Sequence, residues 1–206
     1  MDTRMKTADF RCYLGVLYFG TVTTPPFLRY VNRAYRDLSR TLHTDGTAGS
    51  RKARADATAS ELSARLTEVA GRKKRAWRKE ADFDRWHDET CAALIATFGG
   101  DAMCYGHAQK WVNMSLKYLF TASALKLDDI GLLESLYPFA HMPIDNVVLD
   151  ALAEQGFDYN CPRPWSKLGK DDYLAFQNAV RSTYKECPMD VEFMLWRGGG
   201  TPTLRG

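Results

Sequence analysis

Two residues of this chain combine a reactive side chain with a position that would hold it still: Lys110 and Asp145. An amine can attack an electrophilic carbon and form a Schiff base, and a carboxylate can stabilise positive charge developing nearby or handle a proton. Lys110 opens the most regular amphipathic run of the sequence, Trp111 to Ala124. Its apolar Trp111, Val112, Met114, Leu116, Leu119 and Phe120 are broken by polar Asn113, Ser115 and Lys117. That spacing predicts a helix with a wide buried face. An amine at its start is drawn towards the core, where burial disfavours the charged form. Asp145 follows Pro143 and precedes Asn146-Val147-Val148-Leu149, the pattern of an N-terminal cap. Each residue alone has a plain structural account, a lysine stem covering apolar surface or an ordinary helix cap.

The order Gly106-His107-Ala108-Gln109-Lys110, then a helix, then Pro143-Ile144-Asp145 resembles the helix-hairpin-helix DNA glycosylases. The closest resemblance is to their lysine-bearing 8-oxoguanine branch, archaeal members included. Gly106 and Lys110 match the first glycine and the lysine of that family's Gly-x-Gly-x-Lys hairpin. Pro143-Ile144-Asp145 matches its Pro-(Val/Ile)-Asp segment, and Ala108 replaces the hairpin's second glycine. The likeness covers roughly residues 88 to 152. It implies an all-α, multi-helix globule of the helix-hairpin-helix glycosylase type, with a catalytic cleft between two helical lobes. It implies Lys110 as nucleophile and Asp145 as its electrostatic and proton-handling partner. Gly106, His107, Ala108, Gln109 and Lys117 are then expected to approach DNA phosphates. Oxidised guanine is the substrate implied by the archaeal branch. Bacterial defence glycosylases that strip modified bases from phage DNA imply instead a hypermodified base, such as glucosylated 5-hydroxymethylcytosine, and the reading leans that way. The implied partner is double-stranded DNA carrying a modified base, acted on by a monomer without a cofactor.

Breaking an N-glycosidic bond develops positive charge on the sugar, which a carboxylate beside the anomeric carbon stabilises. An amine can then attack that carbon and give a Schiff base once the ring opens. The target base must also leave the stack and be held between aromatic or apolar groups. Trp111, Asn113, His141, Trp165, Phe193 and Trp196 are the candidates for that pocket, with Trp165 set in a predicted loop, Pro162 to Lys167. A non-catalytic helical DNA-binding module, with Lys110 contacting phosphate, and a helical interaction protein, docking through the basic segment, are the rival readings.

The remaining chain must position these groups. Its 206 residues form a single expected domain over 1–197, 45% apolar, with a net charge of only +3, so the charge distribution matters more than the sum. Five cysteines with no CxxC spacing point to free thiols and away from a disulfide framework or cysteine-ligated metal. No apolar run reaches membrane-spanning length and Met1 to Phe10 is too charged for a signal peptide, so a cytoplasmic location and no membrane partner are expected. No HExxH, GxxxxGK[ST], GxGxxG or GxSxG is present.

Residues 13–19 read as a short strand or a buried turn of helix, and Thr23 to Pro26 starts a helix over 27–42. Residues 44–49 read as a loop. Residues 50–79, basic at both ends with a thin apolar face (Leu62, Leu66, Val69), read as a peripheral, surface-exposed helix, either simply solvated or touching phosphate. Helices are predicted over 83–98, ended by Gly99-Gly100, and over 127–136, 146–155, 173–184 and 188–196. A disordered tail is expected over 198–206.

Overall fold

The computed structural model describes residues 6–43, 47–73, 77–162, 164–196 and 201–205. Every element there is helical: α1 (Thr7–Phe19), α2 (Leu28–Leu38), α3 (Ala48–Ala70), α4 (Glu80–Phe98), α5 (Tyr105–Ala124), α6 (Asn146–Glu154), α7 (Lys170–Thr183) and α8 (Pro188–Trp196). Short 3-10 segments lie at Ser39–Thr41, Gly131–Phe139 and Trp165–Lys167. The all-α expectation holds.

α5 is the axis. It packs against α2, α4, α7 and Trp165–Lys167, and nearly all its residues are buried. One apolar cluster takes residues from all eight α-helices. Trp111 belongs to this core: wholly buried, it donates its indole N–H to the Val31 carbonyl at 2.9 Å and lies 4.8 Å from the Tyr35 ring. It therefore lines no pocket, because its face of α5 is the one that docks on α2.

Several local expectations are corrected. Residues 13–19 are the second half of α1, and their apolar side chains are mostly exposed, with only Gly15 and Phe19 buried. The predicted 27–42 helix divides into α2 and the Ser39–Thr41 turn. Of the predicted 44–49 loop, residues 44–46 lie outside the described residues and α3 already begins at Ala48. α3 is no surface accessory: Ala55, Ala59, Leu62, Leu66 and Val69 are buried where it packs on α2 and α4. Alanines at helical spacing let the helices approach closely, so a face that reads as thin is fully used. Its basic residues are largely engaged within the protein. Arg51 donates to the Ser39 carbonyl, while Lys52 pairs with Asp56, Arg54 with Asp101, Arg65 with Glu61 and Arg72 with Glu68. Lys74 and Arg75, part of the expected basic end, lie outside the described residues.

Gly99 ends α4 as expected, at φ 109, a conformation that favours glycine. The predicted 127–136 α-helix is replaced by a turn and the 3-10 segment Gly131–Phe139. Lys126 takes φ 56 after α5, and Pro138 has no N–H for an α-helical ladder. The described part of the tail, residues 201–205, is tied down rather than loose. Lys185 donates its amide to Thr203, Arg205 donates its amide to Thr183, and the Arg205 guanidinium reaches the Tyr184 carbonyl.

Candidate functional site: the Lys110–Asp145 pair and the hollow beyond it

Asp145 follows a run, Ala140 to Ile144, that is buried yet belongs to no helix or sheet. Buried backbone polar groups need partners, and here two glutamines supply them. Gln177 accepts from the Met142 amide at 3.2 Å and donates to its carbonyl at 2.8 Å. Gln109 does the same for Ile144, at 3.3 and 3.1 Å. Asn113 adds a bond to the Met142 carbonyl and another to the Tyr173 hydroxyl, at 2.8 Å. Pro143, between the clamped residues, has no N–H to satisfy. Asp145 then caps α6 as expected, its Oδ1 accepting from the Val148 amide at 2.9 Å. Gln109 and Asn113 thus act on the strand that carries the carboxylate. Neither faces DNA or a base, because both are wholly buried.

His141 is held deeper still. Its Nε2 lies 2.9 Å from Asp84 Oδ1 and 2.9 Å from the Arg181 guanidinium, and its Nδ1 lies 2.7 Å from the Tyr173 hydroxyl, so both ring nitrogens have partners. Arg181 grips both Asp84 oxygens, at 2.8 and 3.0 Å. Burial pushes the His141 pKa down to about 4, and His141 with Arg181 holds the Asp84 carboxyl well below its ordinary range. His141 braces the Asp145 strand from inside the core and lines no base pocket.

Gly106 to Lys110 form no hairpin. They are the first turns of α5, capped at Cys104, because Ala108 lacks the conformational freedom of the hairpin's second glycine. The Gly106 amide donates to the Leu168 carbonyl at 3.0 Å, and the His107 and Ala108 amides donate to Cys104, so none is offered to a phosphate. His107 and Ala108 are buried, and His107 donates through Nε2 to the Thr41 carbonyl at 3.1 Å. Gly106 has another use. A Cβ there would lie 2.1 Å from the Trp165 carbonyl oxygen, so only glycine lets Trp165–Lys167 seat against α5. That seating lays the Trp165 ring over the Lys110 amine, 4.9 Å from centroid to nitrogen.

The Lys110 amine donates directly to Asp145 Oδ2, across 35 residues of sequence. Lys110 is 5% exposed, whereas the Asp145 side chain keeps 21% of its surface in contact with solvent. The pair is therefore open to solvent on its carboxylate side.

Two turns along the same face of α5, Lys117 donates to Glu192 Oε1 at 2.6 Å. Its amine lies 5.1 Å from the Phe193 ring and 5.0 Å from that of Trp196. Lys117 is nearly buried and so is no surface phosphate contact. Glu192 is 1% exposed, and its second oxygen has no hydrogen-bond partner. Burial raises its carboxyl pKa against the lowering influence of Lys117, and the Asp145 charge raises it further, which places the two carboxyls in one electrostatic neighbourhood. Beside Lys117 lies a hollow of about 490 Å³ bounded by α1, α5 and α8. It is lined by Leu14, Leu17, Tyr18, Met114, Phe193 and Trp196 among others. Phe193 and Trp196 were legible as candidates in the sequence; Glu192 was not, its one signal being a carboxylate between Val191 and Phe193 in an otherwise apolar stretch of α8.

Among the described residues no cluster of His, Cys, Asp and Glu is arranged to hold a metal ion, and no helix is long and apolar enough to cross a membrane. Comparison of the chain with family models, curated proteins and solved structures gives no match.

Proposed function

We propose that this chain is a DNA N-glycosylase that extrudes a modified base and excises it with Lys110 and Asp145. The direct contact of that amine with that carboxylate is the observation that carries the reading. The strand clamped by Gln109, Gln177 and Asn113 gives the contact a rigid frame. In the reaction, the bond between the anomeric carbon and the base nitrogen breaks. Its electron pair leaves with the base, which takes up the proton that Lys110 has passed to Asp145, so that Asp145 is again a carboxylate. Asp145 stabilises the cationic sugar that results. Lys110, once its proton has passed to the Asp145 oxygen it touches, donates its lone pair to the same carbon. Opening of the sugar ring gives an iminium ion; water adds to it and frees Lys110, leaving an abasic site. Loss of the 3′ phosphate by β-elimination from the iminium is the lyase branch of the same intermediate.

The base, once extruded, enters the hollow beside Lys117 and lies between Phe193, Trp196 and Met114. The favoured substrate is a hypermodified cytosine of phage DNA, glucosylated 5-hydroxymethylcytosine among them, with defence against phage as its setting. Borohydride added during turnover should trap a covalent protein–DNA adduct, and Lys110→Gln should abolish both the adduct and base release. An adduct that persists in Lys110→Gln would remove Lys110 from the nucleophile's role.

A further inference from the structure

Among the described residues, five of the eleven large apolar side chains left in water gather at one place. Leu14, Leu17 and Tyr18 of α1 are 57, 68 and 55% exposed, and Trp196 and Leu125 are similarly uncovered. All five line the hollow beside Lys117. A patch of this kind around a cavity marks a binding surface. Its apolar area leaves water only when something fills the hollow.

The size and direction of the hollow identify what fills it. Along α5 it extends from Met114 to Leu125, eleven residues or about 16 Å at the helical rise. It leads away from Lys110. At roughly 30 Å³ per water its volume equals roughly 16 waters, whereas a purine has only about eleven non-hydrogen atoms, packed more densely. The Met114–Lys117 end is the one nearer Lys110 along α5, so a base joined to a sugar at Lys110 and Asp145 would enter there and leave the Leu125 end free. α1 forms the wall there. It is anchored by Gly15, where a Cβ would lie 3.3 Å from the Leu127 side chain, and by Phe19, buried against Tyr30 and Tyr118. Arg11, exposed on the same helix, also lines the hollow and brings hydrogen-bond donors to an otherwise apolar wall.

Resting on the glycosylase reading above, we propose that α1 is the specificity element. Its Leu14, Leu17 and Tyr18 receive a bulky substituent that projects from the far side of the base, and Arg11 contacts the polar groups of that substituent. Bases without such a substituent leave the wall exposed and gain nothing from it.

The test enlarges the wall. Leu14→Trp and Leu17→Trp each place an indole in the hollow from an exposed position, so the core is undisturbed. The substrates are duplexes whose cytosine carries either a 5-hydroxymethyl group or the same group bearing glucose, and base release is read by mass spectrometry. The expected result is that kcat/KM for the glucosylated base, relative to the hydroxymethylated one, falls at least tenfold in either variant. An unchanged ratio, or an equal loss on both substrates, overturns the role of α1 and leaves the glycosylase reading standing. Release of only small bases by the wild type does the same. Release of no base from any DNA by the wild type, with no trapped adduct, overturns both.

Discussion

Gln109→Met tests the claim that the segment leading to Asp145 is held by side-chain amides. The substitution keeps length and approximate volume but removes the acceptor and donor that serve Ile144, bonds of 3.3 and 3.1 Å at a site with no exposure. It also removes bonds to the Gly106 carbonyl and to Asn113. An unsatisfied buried donor or acceptor costs about 1–3 kcal/mol, so orphaning the Ile144 N–H and C=O should destabilise the fold by about 2–5 kcal/mol. Set against a typical total of about 5–15 kcal/mol, that is a large fraction. Urea denaturation should show a lower midpoint at unchanged slope, and thermal melting a Tm lower by about 4–20 °C, at about 2–4 °C per kcal/mol for a chain of this size. Base release should fall with it, because Asp145 follows Ile144 directly. The alternative role, a glutamine facing DNA, makes the opposite forecast: stability within about 0.5 kcal/mol of wild type and weaker DNA binding. A loss below about 1 kcal/mol would refute the clamp.

Three further outcomes follow from the same geometry. Lys117→Met should cost about 3–5 kcal/mol by stranding the buried Glu192 carboxylate, and adding Glu192→Leu should recover much of it, as a double-mutant cycle in urea will show. Gly106→Ala should force Trp165–Lys167 off α5, which lowers the denaturation midpoint and opens Lys110 to acylating reagents that the wild type resists. Stability should fall with acid. His141, with a native pKa of about 4, binds protons more readily when unfolded, at its ordinary value near 6.5. Its contribution is therefore whole above pH 6.5 and is lost between about 6.5 and 4, by on the order of 3 kcal/mol at about 1.4 kcal/mol per pKa unit. His141→Gln should flatten that part of a urea-midpoint-against-pH curve; an unaltered curve would assign the acid sensitivity elsewhere.

Local chemistry that depends on neighbours along the chain could be read directly. The helical character of α2, α4, α5, α7 and α8 lies in apolar periodicity, and the cap at Asp145 lies in Pro143-Ile144-Asp145, because helix starts are set within one turn. The pairing of Lys110 with Asp145 came from motif order. What sequence could not supply was the direction of each side chain. Gln109, Asn113 and His141 are polar residues that read equally well as ligand contacts or as internal struts. The choice was made by a distant, irregular strand whose backbone needed partners. Gly106 resembled a hairpin glycine but serves the approach of Trp165, 59 residues away. Glu192 met Lys117 only because α8 folds back on α5, and α1 became the wall of a hollow only through that same assembly. Periodicity and capping are short-range properties, and sequence carries them; whether a polar group faces solvent, a ligand or an orphaned amide is settled only when elements far apart in the chain pack together.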